Sequence, residues 1–392
     1  MNDQPQWAQP LDADHRAAIV WSQIAEGGDP MATQVTSALG YEAGLDAVRA
    51  QGALGDDAER AAERWRTRLD GLPEFDQRSL ERLGITIVIP GDEWWPEALD
   101  DLGLERPTVL WVRGAPEVLR SSSIAIVGSR AASNYGLRIA TDMAFDLCPR
   151  YTIVSGGAFG IDAAAHRGAL LAEGRTVIVS AGGVGRPYPQ AHADLFNDVI
   201  AKGGAVISES PLGAAPQRHR FLSRNRIIAA LGQATVVIEA PIRSGALATA
   251  RRAIDIGREV CAVPGPITAV SSAGCHQLIR DGATLVTSAA DVVEVVEPIG
   301  FQTEIDLGRT FTEPDVTASK DGPVPTRPPG LDPLSDRVWE ALPKVKHAPA
   351  SSVARVAGLT IPEAMAALGR LALAGHAESN EGMWRRGGNL GA

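Results

Sequence analysis

The sequence lacks the features that mark membrane and secreted proteins. No apolar run approaches the ~18 residues of a membrane-spanning helix. The N-terminal stretch MNDQPQWAQPLDADHR has neither a basic region nor an apolar core, and it predicts no secretory signal. Cysteine is scarce: Cys148, Cys261 and Cys275 show no C-x-x-C spacing and predict reduced thiols. These absences predict a cytoplasmic protein without a membrane partner.

Positive charge and recognisable catalytic motifs are also scarce. The formal net charge is −10 and the isoelectric point is about 5.3. The field of such a molecule repels phosphate, so any nucleic-acid site must be a local basic patch. No group of His, Cys and carboxylate residues has zinc spacing, and no serine or cysteine lies in a nucleophile elbow. The sequence therefore predicts no catalytic residue, no metal and no cofactor.

Glycine-rich turns follow two predicted strands near the middle of the chain. The run Ser122–Val127 is short, apolar and partly β-branched, and it ends at Gly128-Ser129-Arg130. A second strand, Tyr151–Val154, ends at Ser155-Gly156-Gly157, and a helix follows near Ile161. In such units the turn lies at the carboxyl end of a parallel sheet, where free N–H groups at the helix start favour an anion. The glycines let the backbone approach a phosphate closely.

These turns indicate a phosphate-bearing ligand, but a nicotinamide dinucleotide fits them poorly. Ser155 occupies the position of the first glycine in the G-x-G-x-x-G fingerprint. No acidic residue follows the predicted strand Thr176–Val179, where the ribose of NAD would require one. Glycine turns that serve packing alone remain the alternative interpretation.

Strands and helices alternate from about residue 81 to residue 300. This alternation predicts an α/β domain with a mostly parallel sheet that is covered on both faces. Core strands are predicted at 122–127, 151–154, 176–180, 205–208, 234–239, 259–263 and 284–286, with helices at 131–147, 160–173, 190–202, 220–231, 245–257 and 272–281. Two short runs, 85–89 and 108–112, are expected to extend the sheet.

Three further segments flank or follow this α/β domain. Residues 1–80 hold short, Ala-rich helices broken by glycine, and they predict a small helical domain of SAM-like or helix-hairpin-helix-like type. Residues 301–332 are rich in proline and predict a flexible linker. Residues 333–392 predict three helices and a hairpin, the pattern of a winged-helix domain, which often binds DNA. Its third helix carries only Arg370 as a base, so a contact with protein stays equally open.

A basic cluster interrupts the acidic chain between residues 217 and 258. Its members are Arg218, Arg220, Arg224, Arg226, Arg243, Arg251, Arg252 and Arg258, against only Glu239 and Asp255. The amphipathic run 221–231 predicts a helix, and a cation in the first turn of a helix opposes the helix dipole unless it reaches a bound anion. We therefore expect Arg224 and Arg226 to contact a ligand. We expect Arg251 and Arg252 to be solvated or paired with carboxylates.

Three other residues near predicted strand ends have two interpretations each. Tyr188 lies in the glycine turn 182–189, where its ring can stack on a base or pack internally. Asp162 and His166 are four residues apart at the start of a predicted helix. They form either a proton-transfer pair or, as we favour, a carboxylate that complements the helix N-terminus and accepts a hydrogen bond from the histidine.

A set of motifs recurs in a fixed order along the α/β segment. In chain order they are VGSR at 127–130, SGGAFGIDAAAH at 155–166, GGVGRPYP at 182–189, SES at 208–210, FLSRNRIIAAL at 221–231, SGALATARRA at 244–253, VPGP at 263–266 and GCHQLIRDGA at 274–283. Together these motifs resemble the DNA-processing protein A (DprA/Smf) family of bacteria. The combination spans about residues 80 to 300 and is far more specific than any single glycine turn.

The resemblance implies an extended Rossmann-like fold that binds single-stranded DNA without catalysis. It further implies a homodimer that protects incoming strands in natural transformation and loads the RecA recombinase onto them. The residues expected to contact DNA are Gly128, Ser129, Arg130, Ser155, Gly156, Gly157, Asp162, His166, Gly183, Tyr188, Phe221, Arg224, Asn225, Arg226, Ser244 and Gly245. Two departures from the family matter: Gln190 replaces a frequent lysine and removes a phosphate partner, and Ser244-Gly245-Ala246 replaces SGS.

An enzyme of related architecture is the alternative hypothesis. Nucleoside-monophosphate phosphoribohydrolases of the lysine-decarboxylase-like group use a similar core with glycine turns. Their PGGxGTxxE run is absent, and Glu239 precedes the corresponding turn instead of following it. The sequence therefore favours the DNA-binding interpretation.

Overall fold

A computed structural model describes residues 11–72, 77–297, 328, 331–343, 347–380 and 382–387, without the side chain of Arg355. The chain divides into two compact units, Met1–Gln302 and Thr303–Ala392. Most of the predicted linker at 301–332 and the first ten residues lie outside the described part. No helix within that part is long and apolar enough to cross a membrane.

Five helices come first among the described residues of the first unit. They are α1 (Ala13–Ile24), α2 (Pro30–Leu39), α3 (Tyr41–Arg49), α4 (Asp56–Leu69) and α5 (Gln77–Leu83). Aspartate side chains cap the N-termini of α1 and α2. Asp12 accepts from the His15 amide at 2.8 Å at the start of α1, and Asp29 caps α2, which begins at a proline. The rings of Trp21 in α1 and Trp65 in α4 meet edge to face, with centroids 5.1 Å apart.

A nine-stranded sheet forms the centre of the first unit. Its strands are β1 (Ile85–Val88), β2 (Leu110–Gly114), β3 (Ser123–Val127), β4 (Thr152–Ser155), β5 (Thr176–Val179), β6 (Ala205–Ser208), β7 (Ala234–Val237), β8 (Glu259–Ala262) and β9 (Thr284–Leu285). The order across the sheet is β1-β2-β6-β5-β4-β3-β7-β8-β9. The pairs β1–β2 and β2–β6 are antiparallel, and all other pairs are parallel. The predicted mostly parallel α/β sheet is confirmed.

Helices cover both faces of the parallel strands. They are α6 (Asn134–Leu147), α7 (Ile161–Leu171), α8 (Ala193–Ala201), α9 (Arg218–Leu231), α10 (Gly245–Asp255), α11 (Ala273–Arg280) and α12 (Ala289–Val296), with short 3₁₀ segments at Glu97–Glu105, Pro116–Arg120, Gln190–His192 and Val270–Ser272. The sequence analysis missed α12, which begins at a capping box formed by Ser288 and Asp291.

The N-terminal helices share a hydrophobic core with the sheet. Trp21 and Trp65 belong to the same buried cluster as Trp111 of β2, Ile178 of β5 and Phe196 of α8. The helices α1–α5 therefore share one buried core with one face of the sheet, and α1 and α5 contact β1 directly. The domain boundary placed at residue 80 stays a prediction.

The described residues of the second unit form three helices and a small antiparallel sheet. Its elements are α13 (Pro333–Ala341), β10 (Ala348–Pro349), α14 (Ala350–Ala357), α15 (Ile361–Leu373), β11 (Ala377–Asn380) and β12 (Met383–Arg386). Strand β12 pairs with both β10 and β11. The guanidinium of Arg386 lies 3.9 Å from the centre of the Trp339 ring, which ties β12 to α13. The assignment to the winged-helix class stays a prediction.

Candidate nucleic-acid interface

A cavity of about 740 Å³ opens at the carboxyl ends of β3 and β7. We call it the arginine cavity. It is lined by Val127, Gly128, Ser129, Arg130, Ala131, Ala158, Asp162, Tyr188, Pro216, Arg218, Phe221, Leu222, Arg224, Asn225, Ile228, Pro241, Ser244, Gly245, Ala246 and Thr249. Most residues predicted to contact DNA are among them, although they come from five separate stretches of the chain.

Interlocking backbone turns form the floor of the arginine cavity. The amide of Ser129 donates to the carbonyl of Glu239 at 2.7 Å, which joins the turn after β3 to the end of β7. The amide of Ile161 donates to the carbonyl of Ser129 at 3.2 Å. A Cβ at Gly128 would lie 2.5 Å from the Ile161 side chain, and one at Gly160 would clash with the Ser129 carbonyl. Glycine is required at both positions because the turns pack so closely that neither leaves room for a Cβ.

One cation and two aromatic rings stand together at the rim of the cavity. The guanidinium carbon of Arg130 lies 5.1 Å from the centre of the Phe221 ring. The Tyr188 ring lies 5.5 Å from the Phe221 ring at an angle of 56°, and Tyr188 is 48% exposed. Arg130 is exposed and has no ion-pair partner among the described residues. A guanidinium without an ion-pair partner, beside the exposed Tyr188 ring and the half-buried Phe221 ring, suits a phosphate and its neighbouring bases.

Arg224 lies beneath the cavity and is almost wholly buried. Its Nη1 donates to the carbonyl of Gly156 at 2.9 Å and also to the carbonyl of Val179. Its Nε has no partner among the described residues. Burial lowers the pKa of Arg224 to about 10, partly opposed by the Asp162 carboxylate. Burial likewise raises the pKa of Asp162, although Arg224 favours its charged form. Arg224 therefore places a positive charge beneath the arginine cavity. Its hydrogen bonds also link the carboxyl end of β4 to that of β5.

The structure does not bring Arg226 to the cavity, contrary to our expectation. Its side chain is buried in a bidentate ion pair with Glu209, with Nη1–Oε1 and Nη2–Oε2 distances of 2.7 and 2.5 Å. Its Nε donates to the carbonyl of Glu105 at 2.7 Å. Two residues correspond to about 200° around a helix, so Arg224 and Arg226 project from nearly opposite sides of α9.

The expected hydrogen bond between Asp162 and His166 is absent. His166 is fully buried, and its Nδ1 lies 2.7 Å from the hydroxyl of Thr176 on β5. Burial lowers the pKa of His166 to about 3, so the ring is neutral near pH 7. Asp162 instead accepts from the amide of Ala158 at 3.3 Å. The pair therefore has no arrangement for proton transfer.

Other predicted site residues serve the internal structure of the turns. The Ser155 hydroxyl donates to the carbonyl of Ile126 at 2.6 Å. The carbonyl of Gly156 accepts from Arg224, as described above, and that of Gly157 lies 3.0 Å from Nδ1 of His192. The amide of Gly183 donates to the carbonyl of Ala214 at 3.0 Å. None of these residues lines the arginine cavity.

The sequence analysis passed over Arg218 as a site residue. Arg218 is exposed, begins α9 and lines the cavity, with no ion-pair partner among the described residues. The positions 218, 221, 222 and 225 recur at helical spacing, and all four line the cavity. That periodicity is the signal that identifies Arg218.

The chain is similar to known proteins over most of its length. The family model described as DNA recombination-mediator protein A matches residues 86–297. A putative DNA processing protein DprA of Mycobacterium tuberculosis is 39% identical over 391 residues, which cover 96% of this chain and 95% of the relative. Protein Smf of Escherichia coli K12 is 38% identical over 291 residues, or 74% of each chain.

A solved structure is also similar. The X-ray structure of DNA processing protein A from Streptococcus pneumoniae superimposes with a TM-score of 0.61 at 30% sequence identity. The superposition covers 74% of this chain and all of that one.

Proposed function

Since the chain belongs to the DNA recombination-mediator protein A family, we propose that its arginine cavity binds single-stranded DNA. One observation carries the proposal: Arg130 and Arg218 are exposed without ion-pair partners among the described residues, in a cavity that also presents Tyr188 and Phe221. In a chain with a net charge of −10, arginines without ion-pair partners beside an exposed tyrosine ring are suited to bind a phosphate and a base together.

The proposed ligand is a single strand because its bases are free to leave the stack. Phosphates would meet the guanidinium groups of Arg130 and Arg218, and a base would stack on Tyr188. In a duplex the bases are already stacked and paired, so the ring of Tyr188 would have no partner. Phosphate contacts carry no information about sequence, so the arginines should bind all sequences alike.

Salt dependence of binding provides the test. For single strands, log affinity falls with log salt concentration by about 0.7 for each phosphate neutralised. Arg130→Ala should weaken binding of a thymidine oligonucleotide and make the slope shallower by about that amount, without lowering the melting temperature. Arg138→Ala on α6 is the matched control, since Arg138 is exposed and does not line the cavity. An unchanged affinity and slope in Arg130→Ala would contradict the proposal.

We also propose that this binding serves recombination without catalysis. On this proposal the protein acts in the cytoplasm as a homodimer, protects incoming strands in natural transformation and loads the RecA recombinase. The family relationship supports these roles. The buried histidine and the buried Asp162 leave no proton-transfer pair at the cavity. Release of ribose phosphate from AMP by the purified protein would contradict the non-catalytic part and favour the phosphoribohydrolase alternative.

A further inference from the structure

An exposed phenylalanine stands beside the arginine cavity without belonging to its lining. Phe159 is 48% exposed, and it directly follows Ala158, which lines the cavity. We propose that the Phe159 ring is a second stacking platform, which binds one further base of the strand just outside the arginine cavity. This inference rests on the proposed binding of single-stranded DNA.

The backbone around Phe159 is fixed by the close packing of two turns. Gly157 and Gly160 flank this part of the turn, and both have left-handed backbone, with φ values of 70° and 78°. A Cβ at Gly160 would lie 2.2 Å from the carbonyl oxygen of Ser129 and 2.8 Å from that of Arg130. The turn that carries Phe159 therefore packs directly against the turn that carries Arg130.

A buried histidine contacts the ring of Phe159. The ring centroids of Phe159 and His192 are 4.6 Å apart at an angle of 66°, which is an edge-to-face contact. Nδ1 of His192 lies 3.0 Å from the carbonyl oxygen of Gly157, and this hydrogen bond fixes the imidazole. A ring that is already held in place loses little conformational entropy when a base stacks on it. The Phe159 ring is therefore positioned for stacking before a strand binds.

Phe159 is close enough to Arg130 to contact the same strand. Because Gly160 packs against the Arg130 carbonyl, the Cα atom of Phe159 lies within about 8 Å of that carbonyl oxygen. A stacked strand advances about 3.4 Å per nucleotide, so this distance corresponds to about two nucleotides. His192, which contacts the ring, follows Tyr188 by four positions. A strand held at Arg130 and Tyr188 can therefore place a neighbouring base on Phe159.

The chemistry of phenylalanine limits what this platform can bind. Its ring carries neither a charge nor a conventional hydrogen-bonding group, so it contacts the face of a base and not the edge of the base or the phosphate. Every base has such a face, so the platform should accept all four bases. Stacking releases no counterions, unlike the phosphate contact proposed for Arg130. The contribution of Phe159 to affinity should therefore be independent of salt concentration.

The test combines changes in the protein with changes in the oligonucleotide. The ligand is the shortest thymidine oligonucleotide that binds with full affinity, so that the strand cannot shift along the protein, and an abasic site replaces each base in turn. In the wild type, the abasic site at the position of the Phe159 contact should weaken binding about fivefold or more, because a stacked base is lost. In Phe159→Leu the same abasic site should cause no further loss. The salt slope of this variant should equal that of the wild type.

The controls separate this inference from the proposed function. Phe145→Leu is the matched control, because Phe145 is 47% exposed on α6 and does not line the arginine cavity; its affinity and abasic profile should match the wild type. Phe159→Trp keeps an aromatic face and should keep the abasic penalty. Identical abasic profiles for the wild type and Phe159→Leu, or a shallower salt slope in Phe159→Leu, would overturn the stacking platform alone. Failure of the wild type to bind the thymidine oligonucleotide would overturn the proposed function and, with it, the platform.

Discussion

Single residues of α9 show how neighbouring arginines acquire different roles. Arg218 is exposed at the start of the helix, Arg224 is buried beneath the cavity, and Arg226 is buried against Glu209. Arg226 also donates to the carbonyl of Ser223 at 2.8 Å, one turn earlier in the same helix. The ion pair therefore fixes α9 relative to the end of β6 and holds the helix that presents Phe221 and Arg224.

We predict that Arg226→Ala destabilises the first unit strongly. Removing one partner of a buried ion pair leaves the other charge uncompensated, which costs about 3–5 kcal/mol of unfolding free energy. The double variant Arg226→Met, Glu209→Leu should lose less than the single variant, because no buried charge remains. Urea unfolding of the three proteins measures both effects. If the double variant is less stable than Arg226→Ala, the lost stability comes mainly from the hydrogen bonds of Arg226 to the backbone and not from the unpaired carboxylate of Glu209.

At the scale of elements, one histidine joins helix α1 to the loop after β1. His15 Nδ1 lies 2.7 Å from an Asp12 oxygen, and its Nε2 lies 3.0 Å from an Asp92 oxygen. Asp92 also accepts from the amide of Ile89 at 2.7 Å, so the loop itself is held in place. The hydrogen bond to Asp92, assisted by that to Asp12, raises the pKa of His15 to about 9, against the opposing effect of burial.

This arrangement predicts a pH dependence of stability. A raised pKa in the folded state means that protonated His15 stabilises the fold fully below its ordinary pKa of 6.5. The stabilisation should disappear as the pH rises through about 9. The melting temperature of the wild type should therefore fall between these values, and His15→Gln should flatten that part of the profile. Identical profiles for the two proteins would show that the histidine is neutral in the folded state.

At the scale of the whole molecule, the chain divides after residue 302. Each unit has its own buried core: the first is centred on the nine-stranded sheet, and the second packs Val338, Trp339, Leu368 and Leu371 around its three helices. The arginine cavity is built wholly from residues of the first unit.

We therefore predict that a protein ending at Gln302 folds and binds single strands on its own. Its melting transition should remain cooperative, and its affinity for a thymidine oligonucleotide should stay within about threefold of that of the full chain, since no cavity residue is removed. Calorimetry and fluorescence anisotropy measure the two properties. Loss of the cooperative transition would contradict the division into units, whereas a folded but non-binding protein would place the DNA site in the second unit.

Local sequence patterns are sufficient to predict the strands of the sheet and the position of its glycine turns. Short β-branched runs alternate with amphipathic segments. The spacing of apolar residues within each segment indicates a buried strand or a half-buried helix, and this spacing can be read from the segment alone. The turns at Gly128 and Gly156 were therefore placed correctly at the carboxyl ends of β3 and β4. Helix α12 was missed because it is short and follows a weakly marked strand.

Folding in three dimensions fixes which polar residues line the arginine cavity. Arg226 has its carboxylate partner 17 positions away at Glu209, and His166 finds Thr176 on the neighbouring strand instead of Asp162. Ion pairs and hydrogen bonds depend on the distance between two groups in space. Because folding brings together residues that are far apart in the chain, these partners cannot be predicted from local sequence spacing.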